Sequence, residues 1–304
     1  MSGATILALA LVLDAAVGEP RWVWSRLPHP AVLMGRAVDW IDRKFNHGDQ
    51  RRTRGMLSFS LLCTGALALG IVPQMLPFSW LIEIALVAIL LAHKSLVSHV
   101  ADVSRALRLS VADGRLAVAR IVGRDITDMG SSEISRAAIE SAAENLSDAV
   151  IAPALWFLIA GLPGLLLYKL VNTADSMIGH RNQRYAEFGW AAARFDDLMN
   201  WIPARLTALL IALISASRAG HDEIRKDAEL HRSPNAGWPE AAMARALDVA
   251  LSGPRSYGGR MQNFPFVHEK GTHTSGPDDI DAAVRVLWKV WGLTMAIVVI
   301  LAAF

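Results

Sequence analysis

Hydrophobic and polar positions fall into blocks along this chain. Met56–Val72 and Phe78–Ala92 hold one acidic or basic residue between them, Glu83, and are separated by the turn Pro73–Pro77. Trp288–Phe304 closes the sequence with Lys289 as its only charge, and Leu206–Ala216 is a shorter uncharged run. Ala149–Val171 is long enough to span, but Gly161-Leu162-Pro163-Gly164 breaks it near its centre. About 20 apolar residues carry a helix across the hydrocarbon core. The pattern therefore predicts an all-α, polytopic integral membrane protein with amphipathic cytoplasmic helices, built as one membrane-embedded domain over 1–304. Candidate membrane helices are 1–18, 56–72, 78–92, 149–171, 201–217 and 287–304. Polar segments 95–148, 172–200 and 218–285 lie between them.

The first eighteen residues lack the basic start of a signal peptide, and Asp14 interrupts them, so a retained helix is expected. Ser95–Leu146 reads as arginine-rich amphipathic helices broken near Asp113-Gly114 and Asp128–Ser132. Ser131 or Ser132 is expected to cap the last of them, with Glu133 in its first turn.

Composition agrees with the blocks. Hydrophobic residues make up 53% and charged ones 19% of 304 residues, below the roughly 25% charge of soluble domains. Mean hydropathy is +0.33. A net charge of +2 argues against nucleic-acid binding, and a lone Cys63 excludes a disulfide scaffold.

Three polar faces carry candidate chemistry. Glu140, Glu144 and Asp148 share an arc of roughly 80° on a helix, widened by Ser141, Asn145 and Ser147. Such a stripe invites a cation, or else is a solvated face with an Arg136–Glu140 ion pair. Asn172, Asp175, Ser176 and Gly179 share a second face. Asp196, Asp197 and Asn200 form a third. Carboxylate and amide oxygens at this spacing suit a hard cation such as Mg²⁺, and the candidate ligands are Glu144, Asp148, Asp175, Asp196 and Asp197. The interleaved His180, Arg181, Arg184 and Arg194 could bond anions. Arg232 and Arg255 flank a helix for which Pro239 suits the first position, beside the glycine-rich stretch Ser252–Arg260. No phosphate-binding loop of the Gly-x-x-x-x-Gly-Lys-Ser/Thr type occurs, and His268–His273 does not have helical zinc-site spacing.

Taken together these segments resemble the CobD/CbiB family of membrane-bound adenosylcobinamide-phosphate synthases. The likeness runs through Leu13-Asp14 to Glu19-Pro20, Pro28-His29-Pro30 with Gly35-Arg36, and Val122–Asp125. It continues through Glu140–Asp148, Lys169–Arg181, Asp196-Asp197 to Arg205, and His231–Pro239 with Gly258-Gly259. The resemblance implies an enzyme of cobalamin biosynthesis, an amide-forming ligase of the cytoplasmic (inner) membrane. It would join a propionate carboxylate of adenosylcobyric acid to aminopropanol or its O-phosphate, using ATP and Mg²⁺. Implied partners are these substrates, the bilayer and other membrane-associated cobalamin-assembly enzymes, with no nucleic acid. On this reading Glu140, Glu144, Asp175 and Asp197 are catalytic. Asn145, Asn172, His180, Arg181, Arg184, Arg194, Asn200, Arg232 and Arg255 bind substrate or phosphate. Which acid serves as base and which as metal ligand stays open. The alternatives are an AmpE-like signalling protein and a transferase acting on a prenyl or lipid phosphate.

A shared metal site requires the faces at 140–148 and 172–200 on one side of the membrane, here the cytoplasmic side. The break at Gly161–Gly164 allows a re-entrant hairpin of half-length helices Ala152–Ala160 and Leu165–Val171. Single cysteines introduced at Asn145 and Tyr185 should then escape a membrane-impermeant maleimide in intact cells and react after lysis. Labelling of only one before lysis would mean a true crossing.

Overall fold

The computed structural model describes residues 1–215 and 220–304. The end of candidate helix 201–217 and the first residues of segment 218–285 lie outside them. In chain order the helices are α1 (Gly3–Val17), α2 (Arg21–Trp24), α3 (Pro30–Phe45), α4 (Arg51–Ile71), α5 (Ser79–Leu90), α6 (His93–Leu109) and α7 (Val111–Val118). They continue as α8 (Ser131–Leu146), α9 (Ala152–Ile178), α10 (Trp190–Met199), α11 (Trp201–Ile214), α12 (His221–Ala228), α13 (Gly237–Leu247) and α14 (Pro277–Ala302). Among the described residues the expected all-helical architecture is modified by short strands between α13 and α14: β1 (Leu251–Ser252), β2 (Arg255–Tyr257), β3 (Arg260–Gln262) and β4 (Phe266–Val267). Strand β1 pairs antiparallel with β4, and β2 with β3.

Among the described residues, four helical stretches are long and apolar enough to cross a membrane: Arg51–Met75, Ser79–Leu109, Ser131–Ile178 and Pro277–Ala302, or five if α10 and α11 count as one. Helix α1 has 15 residues, about 22 Å, and is too short to cross alone. The last span begins ten residues before the apolar run expected at 287–304.

The chain packs as two compact units, the first comprising Met1–Ala92, Asp148–Asn200 and Val298–Phe304, the second His93–Ser147 and Trp201–Ile297. In the first, α9 packs on α3, α4 and α10 around Ile41, Phe59, Tyr168, Val171 and Phe188. In the second, α8 is the central helix. Ile134 through Ala143 are all buried, against α6, α7, α13 and β1.

Helix α9 does not run straight. Ala160 and Gly161 leave helical geometry, Gly161 at φ +62° and ψ −156°, a region essentially open only to glycine. Beyond it the chain doubles back. A Cβ on Gly164 would lie 2.6 Å from the Trp156 carbonyl oxygen, and Asn172 Nδ2 donates to Asp148 Oδ2 at 3.4 Å. In a straight helix that last pair would stand about 36 Å apart. The second arm extends to Ile178, a turn or two past the expected Val171. The turn is held against α4, where a Cβ on Gly70 would fall 2.4 Å from Pro163 Cα.

Local signals act one step away from their expected places. The break between α6 and α7 is at Ser110, because its hydroxyl accepts the Asp113 N–H at 3.0 Å; Gly114 lies inside α7. Helix α8 is capped at Gly130, not at Ser131 or Ser132, since Glu133 Oε2 takes the Gly130 N–H at 3.0 Å. Helix α13 starts at Gly237, where a Cβ would strike the Ala228 carbonyl at 2.5 Å. Pro239 is therefore its third residue, still within the first turn that tolerates proline.

Gly161→Ala should cost about 1–3 kcal/mol through backbone strain, read as a lowered midpoint of thermal unfolding in detergent. Gly65→Ala, in α4 with nothing within 4 Å of the added Cβ, should be neutral or slightly stabilising. Equal behaviour of the two variants would argue against the hairpin turn.

Candidate functional site

The predicted residues divide between the units. In the second, Glu140 is the centre of a buried ion cluster, its side chain only 3% exposed. Its Oε1 accepts the Ser252 N–H at 2.7 Å. Its Oε2 receives the Arg124 guanidinium and Arg255 Nη1 at 3.1 Å. Ser252 holds a left-handed φ of +63°, uncommon for a residue with a side chain. The bond to Glu140 and the bond from Arg255 Nη2 to Ser252 Oγ at 2.9 Å brace it there. Burial would pull the Arg124 guanidinium down, but the Glu140 carboxylate carries it upward instead. Ion pairing within α8 follows a different register from the expected one: Arg136 meets Glu133 at 3.8 Å and leaves Glu140 to the two distant arginines.

Glu144, one turn along α8, lies in the field of the Glu140 carboxylate and of the Arg232, Arg124 and Arg255 guanidiniums, so the acids beside it already have arginines among them. Asn145 turns back on its own helix, donating to the Ser141 carbonyl at 2.9 Å. Arg232 is exposed over the rings of Tyr257 and Phe264.

Arg124, Glu240 and Asp125 are not among the sequence candidates, yet Arg124 pairs with Glu140 and the other two lie nearby. Glu240 is buried, with Oε1 3.5 Å from His231 Nε2 and Oε2 without a hydrogen-bond partner. Burial, then the charges of Glu140 and Glu144, push its carboxyl well above the usual range. Burial lowers His231 to about 4, so it is neutral at pH 7. Glu240 is legible in retrospect as the one acid on the apolar stretch Glu240–Ala244. Asp125 latches the β2–β3 turn: its Oδ2 accepts from Ser256 Oγ and from the Gly259 N–H, each at 2.7 Å. Those two bonds hold it below the usual carboxylate range.

In the first unit the hairpin arms of α9 meet α10. Asn172 Nδ2 stands 3.4 Å from both Asp148 Oδ2 and Asp196 Oδ1. Asn200 Nδ2 donates to Asp196 Oδ2 at 2.9 Å, and Tyr168 Oη donates to Asn200 Oδ1 at 2.9 Å. Asp175 is close enough to Asp196 and Asp197 for mutual repulsion. His180 offsets Asp175, and Arg194 and Arg181 offset Asp197. Tyr168 and Lys169, the latter beside Asp148 and Glu19, join this face although neither is among the candidate site residues; a lysine inside an apolar run was the available signal.

Arg184 belongs elsewhere. Its guanidinium bonds the buried Asp42 at 2.6 Å, which also accepts from Tyr185 Oη at 3.3 Å and Asn46 Nδ2 at 2.7 Å. This bond raises Arg184 and anchors the 182–185 turn on α3, so the expected phosphate-binding role does not fit.

Among the described residues no three His, Cys, Asp or Glu side chains converge to hold a metal as they stand. The donor set of Asp148, Asp175, Asp196, Asp197 and the Asn172 amide is nevertheless oxygen-rich and of the kind a hard divalent cation takes. Glu144 lies in the other unit's arginine cluster.

The family model for CobD/Cbib proteins matches residues 7–287. A cobalamin biosynthesis protein CobD from Rhizobium meliloti is 48% identical over 300 residues, covering 93% of this chain and 92% of that protein. Its namesake from Brucella anthropi is 46% identical over 311 residues, covering 97% and 95%. The one from Rhodobacter capsulatus is 45% identical over 275 residues, 88% of each. No solved structure matches significantly.

Glu140→Gln should cost about 3–5 kcal/mol, since it leaves two buried guanidiniums uncompensated. Glu240→Gln should behave oppositely. A folded-state pKa raised above the unfolded value gives stability that is full below the unfolded pKa and lost as pH rises toward the folded one. Glutamine at 240 removes that loss, so the variant should gain on the parent as pH rises above the ordinary carboxyl range in thermal unfolding. A pH-independent difference would show Glu240 to be ionised in the fold.

Proposed function

This chain belongs to the CobD/CbiB family, and on that premise we propose that it is the amide-forming enzyme of cobalamin biosynthesis. In this reading it joins a propionate carboxylate of adenosylcobyric acid to aminopropanol or its phosphate in the inner membrane, with its site toward the cytoplasm. A carboxylate is a poor acyl donor. Its oxygen attacks the γ-phosphorus of ATP, giving an acyl phosphate and ADP; the amine nitrogen then attacks the carbonyl carbon and phosphate leaves. The amine enters as an ammonium and must lose a proton first.

The observation that carries the proposal is the acid–amide face of the first unit, where Asn172 lies between Asp148 and Asp196 with Asp175 beside them. Asp148, Asp175, Asp196 and Asp197 would hold Mg²⁺, which when bound neutralises phosphate charge. His180, Arg181 and Arg194 border that face and would orient the phosphoryl oxygens. Asp175 or Asp197 would take the ammonium proton. In the second unit, Arg232 and Arg255 supply guanidiniums to anionic groups of the substrates, and Glu140 keeps Arg255 in position.

One feature favours a second reading, a transferase acting on a lipid phosphate. An apolar cavity of about 610 Å³ in the first unit is lined by Met56, Phe59, Cys63, Trp190 and Phe195, with Arg194 among them.

Purified protein given adenosylcobyric acid, aminopropanol phosphate, ATP and Mg²⁺ should form the amide, detected by mass spectrometry, and a parallel reaction with free aminopropanol identifies the amine used. Asp175→Asn should abolish turnover while expression and thermal stability stay near the parent's. A fully active Asp175→Asn enzyme would remove the metal assignment, and product formation only from a lipid phosphate would move the protein to the second reading.

A further inference from the structure

A second cavity lies wholly in the second unit, a cleft of about 480 Å³ between the start of α8 and the β2–β3 hairpin. Three guanidiniums line it, those of Arg124, Arg136 and Arg255. Two of them share a single carboxylate, Glu140, so that trio carries a net positive charge. The Nε of Arg255 is buried without an acceptor, in a side chain only 8% exposed.

Arg136 is the more telling residue. Its side chain is 10% exposed, and among the described residues its one ion partner is Glu133 at 3.8 Å, beyond hydrogen-bond range. Glu133 has already given Oε2 to the Gly130 N–H. The guanidinium otherwise lies over the ring of Phe266, 5.3 Å from its centroid. A guanidinium that lines a cleft without a carboxylate in hydrogen-bond range keeps its donors for an anion.

Three carboxylates line the cleft as well: Asp125 is engaged by the hairpin turn, Glu133 by the helix cap, and Asp128 is exposed. Accepting those bonds does not remove their charge, so recognition of an anion here rests on the geometry of the guanidinium forks rather than on a net positive wall. Planar guanidinium forks match phosphate oxygens in pairs. The volume falls in the ordinary range for small-molecule sites and far exceeds one phosphate, while Met261 and Phe266 add an apolar wall.

We propose that this cleft binds the phosphate group of a larger ligand, with Arg136 as a principal contact and Arg124 and Arg255 behind it. A nucleoside triphosphate and the phosphate monoester of a small amino alcohol share the required chemistry. The choice of these two rests on the function proposed above; the site itself does not.

Isothermal titration of the full chain in detergent tests it, with ATP, aminopropanol phosphate, inorganic phosphate and unphosphorylated aminopropanol as ligands. At least one phosphate compound should bind, and the one with the largest response identifies the source. Arg136→Lys, which keeps the charge but removes the fork, should weaken that binding roughly tenfold or more. Asp128→Asn, at an exposed position, should tighten it roughly two- to fivefold by removing a repelling charge. Arg225→Ala, which breaks an exposed pair with Glu229, should change nothing. Failure of every phosphate ligand to bind, or binding indifferent to Asp128→Asn, overturns the proposal even where Arg136→Lys cannot be prepared folded. Amide formation by a protein whose phosphate binding ignores these substitutions sinks the cleft and spares the reaction. Substitution-sensitive binding without amide formation does the reverse.

Discussion

The Glu140 carboxylate governs the second unit because a buried charge must be met from every side. Its two oxygens gather a backbone N–H from β1, a guanidinium from β2 and another from the loop after α7. Removing a carboxylate from water costs several kcal/mol after relaxation, so these partners cannot be optional. They bring the chain between α13 and α14 onto α8, and the left-handed turn at Ser252 and Gly253 follows from that demand. At Gly253 a Cβ would fall 2.3 Å from the Phe266 ring, so the chain crosses there only as glycine.

The first unit answers the same demand differently. Asp42, 6% exposed, is satisfied by an arginine, a tyrosine hydroxyl and an asparagine amide, which fastens the 182–185 turn on α3. Asp148, Asp175 and Asp196 are brought together by the α9 reversal with amides and a tyrosine among them; the cations near them are Lys169 beside Asp148 and, at the border, His180, Arg181 and Arg194. Acids with close arginines read as structural, as with Asp42. Acids whose repulsion persists beside amide oxygens are those a cation would relieve.

Much of this was legible from pattern. The apolar blocks announce helices long enough for a membrane, and the α8 and α9 faces follow from helical periodicity alone. The break could be anticipated from Gly161-Leu162-Pro163-Gly164 at the centre of the apolar run Ala149–Val171, since glycine and proline interrupt a helix. Caps were harder. Serine at 131 and 132 has the right chemistry, yet a glutamate three residues beyond Gly130 supplied the bond first.

Sequence by itself determined the helical class, the family and the identity of most polar groups on each face. Partner choice was decided only by tertiary structure. Periodicity relates residues three and four apart, so it could offer Arg136 as the partner of Glu140. It could not weigh Arg124, sixteen positions away, or Arg255, over a hundred away. The same holds for Glu240, which reads as an ordinary first-turn acid until α13 packs against α8 and buries it beside Glu140 and Glu144. Burial and long-range charge are properties of the packed chain: they depend on which surfaces exclude water together, and that is set by neighbours that local spacing does not contain.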